Sequence, residues 1–154
     1  MRRDKAEPGD AGDGVAKPRL DADDLGVVAT GVVYALLAAF PWYETVGPGG
    51  EVIGYIGWGL GWTIIGGLLA LYAAGRVLFL RGRPPKPDVP VTPAAETFVV
   101  SVVALLVTLY RVVAAPAAVG PGATRTSFMS AAAAAVVFQA VFAARKLGKV
   151  GLRA

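Results

Sequence analysis

The chain contains no cysteine, no histidine and no asparagine among its 154 residues. Without cysteine there is no disulfide, thiolate nucleophile or thiolate metal ligand, and without histidine no imidazole base or haem ligand. The absence of asparagine excludes N-glycosylation. Acidic residues are few, 11 against 15 Lys and Arg, and none falls in the middle of a long apolar stretch. Proton-coupled carriers usually need a carboxylate or histidine there. No Gly-rich phosphate loop, HExxH or GxSxG pattern occurs. Ser101 and Ser130 are hydroxyls without a neighbouring base. The expectation is therefore no enzyme, no catalytic residue, no metal site and no cofactor.

What remains is 55% hydrophobic, gathered in long blocks. A soluble fold would scatter its apolar residues at period 2 or 3.6. Blocks near 20 residues match a bilayer core of about 30 Å. The net charge of +4 lies beside these blocks, which reads as a topology signal and not as a nucleic-acid surface.

Residues 1–24 mix Lys and Arg with Asp, Gly, Ala and Pro. They hold too little apolar surface to order themselves, so a disordered tail is expected. Four spans follow, at about 25–43, 53–80, 94–115 and 127–145, making one transmembrane domain over 25–146. Asp23 or Asp24 is the expected N-cap of the first. Pro41 and the turn Gly47-Pro48-Gly49-Gly50 end it. The linker 81–93 contains five prolines, which forbid regular helix. A short basic tail, 147–154, closes the chain. The reading is an all-α membrane protein, a four-helix bundle with up-down connectivity. Val-Gly-Pro-Gly recurs at 46–49 and 119–122, which leaves open a tandem two-helix repeat.

With the N-terminus inside, all of the Lys and Arg except Arg111 and Arg125 lie on the cytoplasmic side. Both termini are thus expected in the cytoplasm of a bacterial cell with an inner membrane. Arg76 would snorkel from the second span. Trp42, Tyr43, Tyr55 and Trp58 would form an aromatic belt at the outer surface.

Arg111 is the sharpest feature. Thr97, Ser101, Ala104, Thr108, Arg111 and Ala115 are spaced by alternating steps of four and three, which place them on one helical face. Thr97, Ser101, Thr108 and Arg111 form the candidate intramembrane polar stripe. The plainest reading is a packing seam with a snorkelling arginine; the functional one is an anion or headgroup site. Glu44, past the end of the first span, is the expected ion-pair partner of Arg111, with Glu51 as the alternative. Gly54, Gly57 and Gly61 offer close helix approach through Gly57-x-x-x-Gly61. Ser130 and Ala134 present a smooth face on the fourth helix. Gln139 is expected to make an interhelical hydrogen bond.

Phe40-Pro41-Trp42-Tyr43, the Gly-rich stretch after it, and Leu109-Tyr110-Arg111-Val112-Val113 before Pro116 resemble a group of small four-helix membrane proteins of actinobacteria. Those carry an FPWY-like element ending the first helix. The resemblance implies the four-span topology over residues 25–146 and supplies no activity. The functional expectation is a non-enzymatic accessory or interaction subunit. The alternative is a small oligomeric transporter or channel lined by the polar stripe. The partners expected are the lipid bilayer and a second copy or another membrane protein, with no nucleic acid.

Overall fold

The computed structural model describes residues 20–80, 91–120 and 122–151, with the side chain of Ala118 excepted. Most of the expected disordered tail, the proline-rich linker up to residue 90 and the last three residues lie outside these. The protein is mostly helical, with α1 (Ala22–Leu37), α2 (Trp62–Leu80), α3 (Pro93–Val113) and α4 (Ser127–Val150). Three of them, α2, α3 and α4, are long and apolar enough to cross a membrane. At 16 residues, α1 rises only about 24 Å.

Each helix begins where its sequence allows. Asp21, and not Asp23 or Asp24, caps α1: its carboxylate accepts from the Asp24 amide at 2.8 Å. Asp23 and Asp24 therefore lie inside the first turn, where negative charge suits the helix dipole. Thr92 caps α3 by accepting from the Ala95 amide at 3.2 Å, and Pro93 follows at the first helical position, where a missing N–H costs nothing. The helix α4 runs to Val150, so residues 147–150 of the expected basic tail are helical.

The largest correction concerns residues 41–61. They are not helical ends. Pro41–Val46 forms β1 and Val52–Ile56 forms β2, an antiparallel hairpin closed through Gly47 and Gly50. Thr124–Arg125 adds β3 on the other edge of β1, so the strand order is β2-β1-β3. A single 3-10 turn, Gly57–Gly59, then leads into α2. The physical reason is local. Residues 52–57 combine β-branched and aromatic residues with two glycines, and each glycine weakens a helix by about 1 kcal/mol. Gly61 has φ +62°, a left-handed conformation that α2 cannot include. The two Val-Gly-Pro-Gly segments also differ: one closes the hairpin, while the other begins at Val119, the last residue of a 3-10 turn at Ala117–Val119.

The helices pack in a ring, α1 on α2 and α4, and α3 on α2 and α4. Small residues let them approach: Ala70, Ala73 and Ala74 of α2, Ala104 of α3, and Ala132, Ala140 and Ala143 of α4 are all buried. Large apolar side chains such as Leu36, Leu68, Phe79, Leu106 and Phe138 point outward.

Candidate functional site

Two ends of the bundle and a polar interior between them hold the residues of interest. At the hairpin end, aromatic side chains terminate α1. A helix leaves its last four carbonyls without intrahelical partners. Here the Trp58 indole donates to the Ala35 carbonyl at 3.0 Å and the Trp42 indole to Leu37 at 3.1 Å. The Tyr34 and Leu36 carbonyls accept from the Ala38 and Ala39 amides. This satisfies the backbone internally, as a lipid environment requires. Trp42 and Tyr43 are consequently fully buried. They are structural plugs and not the exposed belt expected from sequence. A register irregularity between Pro41 and Tyr43 turns both consecutive rings inward.

The polar stripe of α3 is real as far as Thr108. Thr97, Ser101, Ala104 and Thr108 are all buried, while Val99, Leu106 and Tyr110 are exposed. Ala115 lies past the helix end and is exposed. Thr97 donates to the Pro93 carbonyl and Thr108 to that of Ala104, each at 2.8 Å. The Tyr34 hydroxyl shares a 2.9 Å hydrogen bond with the Thr108 hydroxyl, and the Tyr34 ring stands edge-on to Trp42 at 6.0 Å. Gly66 of α2 closes this junction, since an added Cβ would come within 3.0 Å of the Tyr34 hydroxyl. The Ser101 hydroxyl is buried and has no partner.

A second junction lies nearer the other end. The Gln139 amide donates to the Ala70 carbonyl at 2.9 Å and to that of Val27 at 3.3 Å, joining α4 to α2 and α1. The interhelical bond read from the sequence is thus made twice. Gly31 provides the room, because a Cβ there would lie 2.7 Å from the Gln139 nitrogen.

Arg111 is half-buried, and its guanidinium lies 5.5 Å from the centre of the Tyr110 ring. Its carbonyl accepts from the Tyr43 hydroxyl. Neither Glu44 nor Glu51 pairs with it. Glu44 occupies the middle of the central strand, between Gly54 and Thr124, and not a helix end facing α3. Glu51 lies over Gly47 and Gly49 of the turn.

The packing glycines also require correction. Gly54 is in β2, Gly57 opens the 3-10 turn and Gly61 precedes α2, so they share no helix face. Gly57 matters for another reason: a Cβ would meet the Trp42 ring at 2.6 Å and the Ala38 carbonyl at 2.9 Å. Close approach within α2 belongs instead to Gly66 and Gly67. Ser130 and Ala134 are exposed; the buried face of α4 carries Met129, Ala132, Val136, Gln139 and Ala143.

The opposite end, where α1 and α3 begin and α2 and α4 finish, is held by charge. Arg76 does not snorkel freely but donates to Glu96 at 2.7 and 3.0 Å, and Tyr72 donates to the other oxygen of Glu96 at 2.6 Å. Lys146 reaches Asp21 at 2.7 Å and Asp24 at 2.8 Å. Asp23, 1% exposed, meets Lys149 and lies 3.3 Å from Arg145. The hydrogen bond from Lys146, then that from the Asp24 amide, holds the Asp21 carboxyl down at about 2. The carboxylates are thus engaged by cations, and among the described residues no group of three or more His, Cys, Asp or Glu is arranged to hold a metal ion.

Sequence reading missed Tyr34 and Glu96, and gave Asp23 as a candidate cap and not as an ion-pair partner of α4. A tyrosine in an apolar helix and a glutamate in a first turn were the available signals. Compared with protein-family models, with curated proteins and with solved structures, the chain matches none.

Proposed function

We propose that the chain is a four-span protein of a bacterial cytoplasmic membrane, with up-down connectivity and both termini in the cytoplasm, serving as a non-enzymatic accessory or interaction subunit. In this reading α1, continued by 38–40, is the fourth span. Phe40 extends its apolar surface by stacking on Phe128 at 4.6 Å. The resemblance to the actinobacterial proteins is compatible with this layout. The charged end would face the cytoplasm and the hairpin end the exterior.

The observation that carries the functional reading is how the interior polar groups are used. Thr97, Thr108, Tyr34 and Gln139 direct their hydrogen bonds to backbone carbonyls or to one another. Thr97 bonds within α3, while Tyr34 with Thr108, and Gln139, tie helices together; in this reading they do not line a path. The stripe is a packing seam, and the exposed faces are left for lipid or a partner helix. The transporter or channel alternative rests on Ser101, the one stripe hydroxyl that is buried and unpartnered. Reconstitution into proteoliposomes decides between them. The expected result is ion and small-solute flux equal to that of protein-free vesicles. Flux that depends on protein and disappears in Ser101→Ala would establish the alternative.

A further inference from the structure

Among the described residues the two arginines of the hairpin end have no carboxylate partner, although every described cation of the other end except Arg145, which only approaches Asp23, donates to one. Both are held against the last turn of α3. Arg111 belongs to that turn, and Arg125 donates to the Val113 carbonyl at 3.1 Å. Tyr43 fixes the pair: its backbone lies opposite Arg125 across the sheet and its hydroxyl bonds the Arg111 carbonyl.

The Arg111 guanidinium is placed with its inner edge sealed. Its Nε is buried without an acceptor, one Nη lies 4.0 Å from where a Cβ on Gly61 would stand, and among the described residues the guanidinium donates no hydrogen bond. A half-buried guanidinium at the end of an apolar helix bundle, with its donors unengaged, calls for an anion with several acceptor oxygens. Neither α2 nor α4 has an acid in its first turn, and Glu44, opposite Thr124 in the sheet, makes no ion pair with either arginine. From Pro93 to Arg111 is about 27 Å of helix, one bilayer core, so Arg111 reaches phosphate depth when α3 spans.

We infer that Arg111, supported by Arg125, forms a binding site for a phosphate-ester anion at the hairpin end, occupied in the membrane by a phospholipid headgroup. Arg111 supplies the unengaged Nη donors; Arg125, exposed and tied to the Val113 carbonyl two residues past Arg111, adds positive charge. This rests on the membrane-spanning reading above, though not on which side the hairpin end faces.

The test uses the full chain purified in mild detergent and exposed to phosphatidylglycerol, to diacylglycerol with the same acyl chains, or to inorganic phosphate. Native mass spectrometry reads the lipid retained per chain. Wild type should retain one phosphatidylglycerol and no diacylglycerol. Arg111→Gln should weaken retention at least tenfold, Arg125→Gln several-fold, and Arg111→Lys should fall between, because it keeps charge but loses the fork. The change Arg145→Gln, at the opposite end, should leave retention unchanged. Should Arg111→Gln not fold, Arg111→Lys and Arg125→Gln still decide. Equal retention in all arginine variants, or equal retention of diacylglycerol, overturns the site. Displacement of lipid by millimolar inorganic phosphate would keep the phosphate chemistry but overturn the lipid as its source. Release of the chain from membranes by alkaline carbonate would instead be a failure of the spanning reading.

Discussion

The side-chain amide of Gln139 on α4 donates to the carbonyl of Ala70 on α2 across 2.9 Å. The acceptor is a helix-interior carbonyl, already engaged within its own helix, so the amide adds a second bond in place of water. The same nitrogen reaches Val27 on α1, so one side chain fixes the relative height of three helices. Hydrogen bonds between membrane helices contribute about 0.6 kcal/mol on average and up to about 1.7. Gln139→Leu should therefore lower detergent stability by about 1 kcal/mol, read from a thermal or denaturant midpoint. An unchanged midpoint would show that packing alone sets the register.

Tyr34 and Thr108 form the other cross-helix bond, and their energies should not add. Tyr34→Phe leaves Thr108 with its own Ala104 carbonyl as acceptor, whereas Thr108→Val leaves a buried phenol unpaired. The expected order of loss is Thr108→Val above Tyr34→Phe, each on the order of 1 kcal/mol. The double variant should cost less than the sum by about 0.5 kcal/mol or more. Strict additivity in that cycle would remove the coupling.

The inward stripe of α3 and the bond of Gln139 were legible in the sequence because a period of 3.6 leaves a pattern that no strand can share. Residues 41–61 were not, because hydropathy alone cannot separate a short apolar strand from a helix end. The spacing of Gly57 and Gly61 fits a helix motif equally well. The decisive signal was Gly47-Pro48-Gly49-Gly50 between two runs of β-formers, a hairpin signature. The pairing of Arg76 with Glu96 spans a linker of prolines. It becomes readable only once the helices on either side are known to pack together. Glu44 was misplaced as a partner of Arg111 by the same error, since a residue thought to end a helix sits in a central strand.

Gly57 offers a direct test of the hairpin. In a helix, Gly57→Ala would be neutral or stabilising, by up to about 1 kcal/mol. Here the new methyl meets the Trp42 ring and the Ala38 carbonyl at under 3 Å. Trp42 is itself fully buried, so nothing flexible can yield. The expected loss is about 1–3 kcal/mol, as for overpacking of a core. Gly75→Ala, an exposed helix position with open space around it, should instead be neutral or slightly stabilising. A stable Gly57→Ala would restore the helical reading of this segment.

Orientation can be measured on a chain that lacks cysteine. Glu51→Cys places a single thiol in the exposed hairpin turn, and a second variant places one at Gly148. An impermeant maleimide added to intact spheroplasts should label position 51 and label position 148 only after lysis. The reverse pattern would invert the topology, and labelling of both from outside would mean an even number of crossings between them in place of the three formed by α2, α3 and α4.

Acid should act first on the charged end. Asp21 accepts from Lys146 and from the Asp24 amide, and its carboxyl is depressed to about 2, against about 3.9 for an unstructured aspartate. A depressed acid contributes stability that is complete above the unfolded value. That contribution is lost as pH falls through the folded value, here between about 4 and 2. Its size is modest, below about 1 kcal/mol, because the Asp21 side chain is 42% exposed and solvent screens the pair. The sharper readout is the titration itself. With the Asp21 carboxyl followed by carbon NMR, the wild-type midpoint should lie near pH 2. Lys146→Met removes the larger cause and leaves the amide bond of the N-cap. Its midpoint should rise but stay below that of an unstructured aspartate. A midpoint that does not move in Lys146→Met would mean that the helix start, and not the bridge to α4, holds the charge.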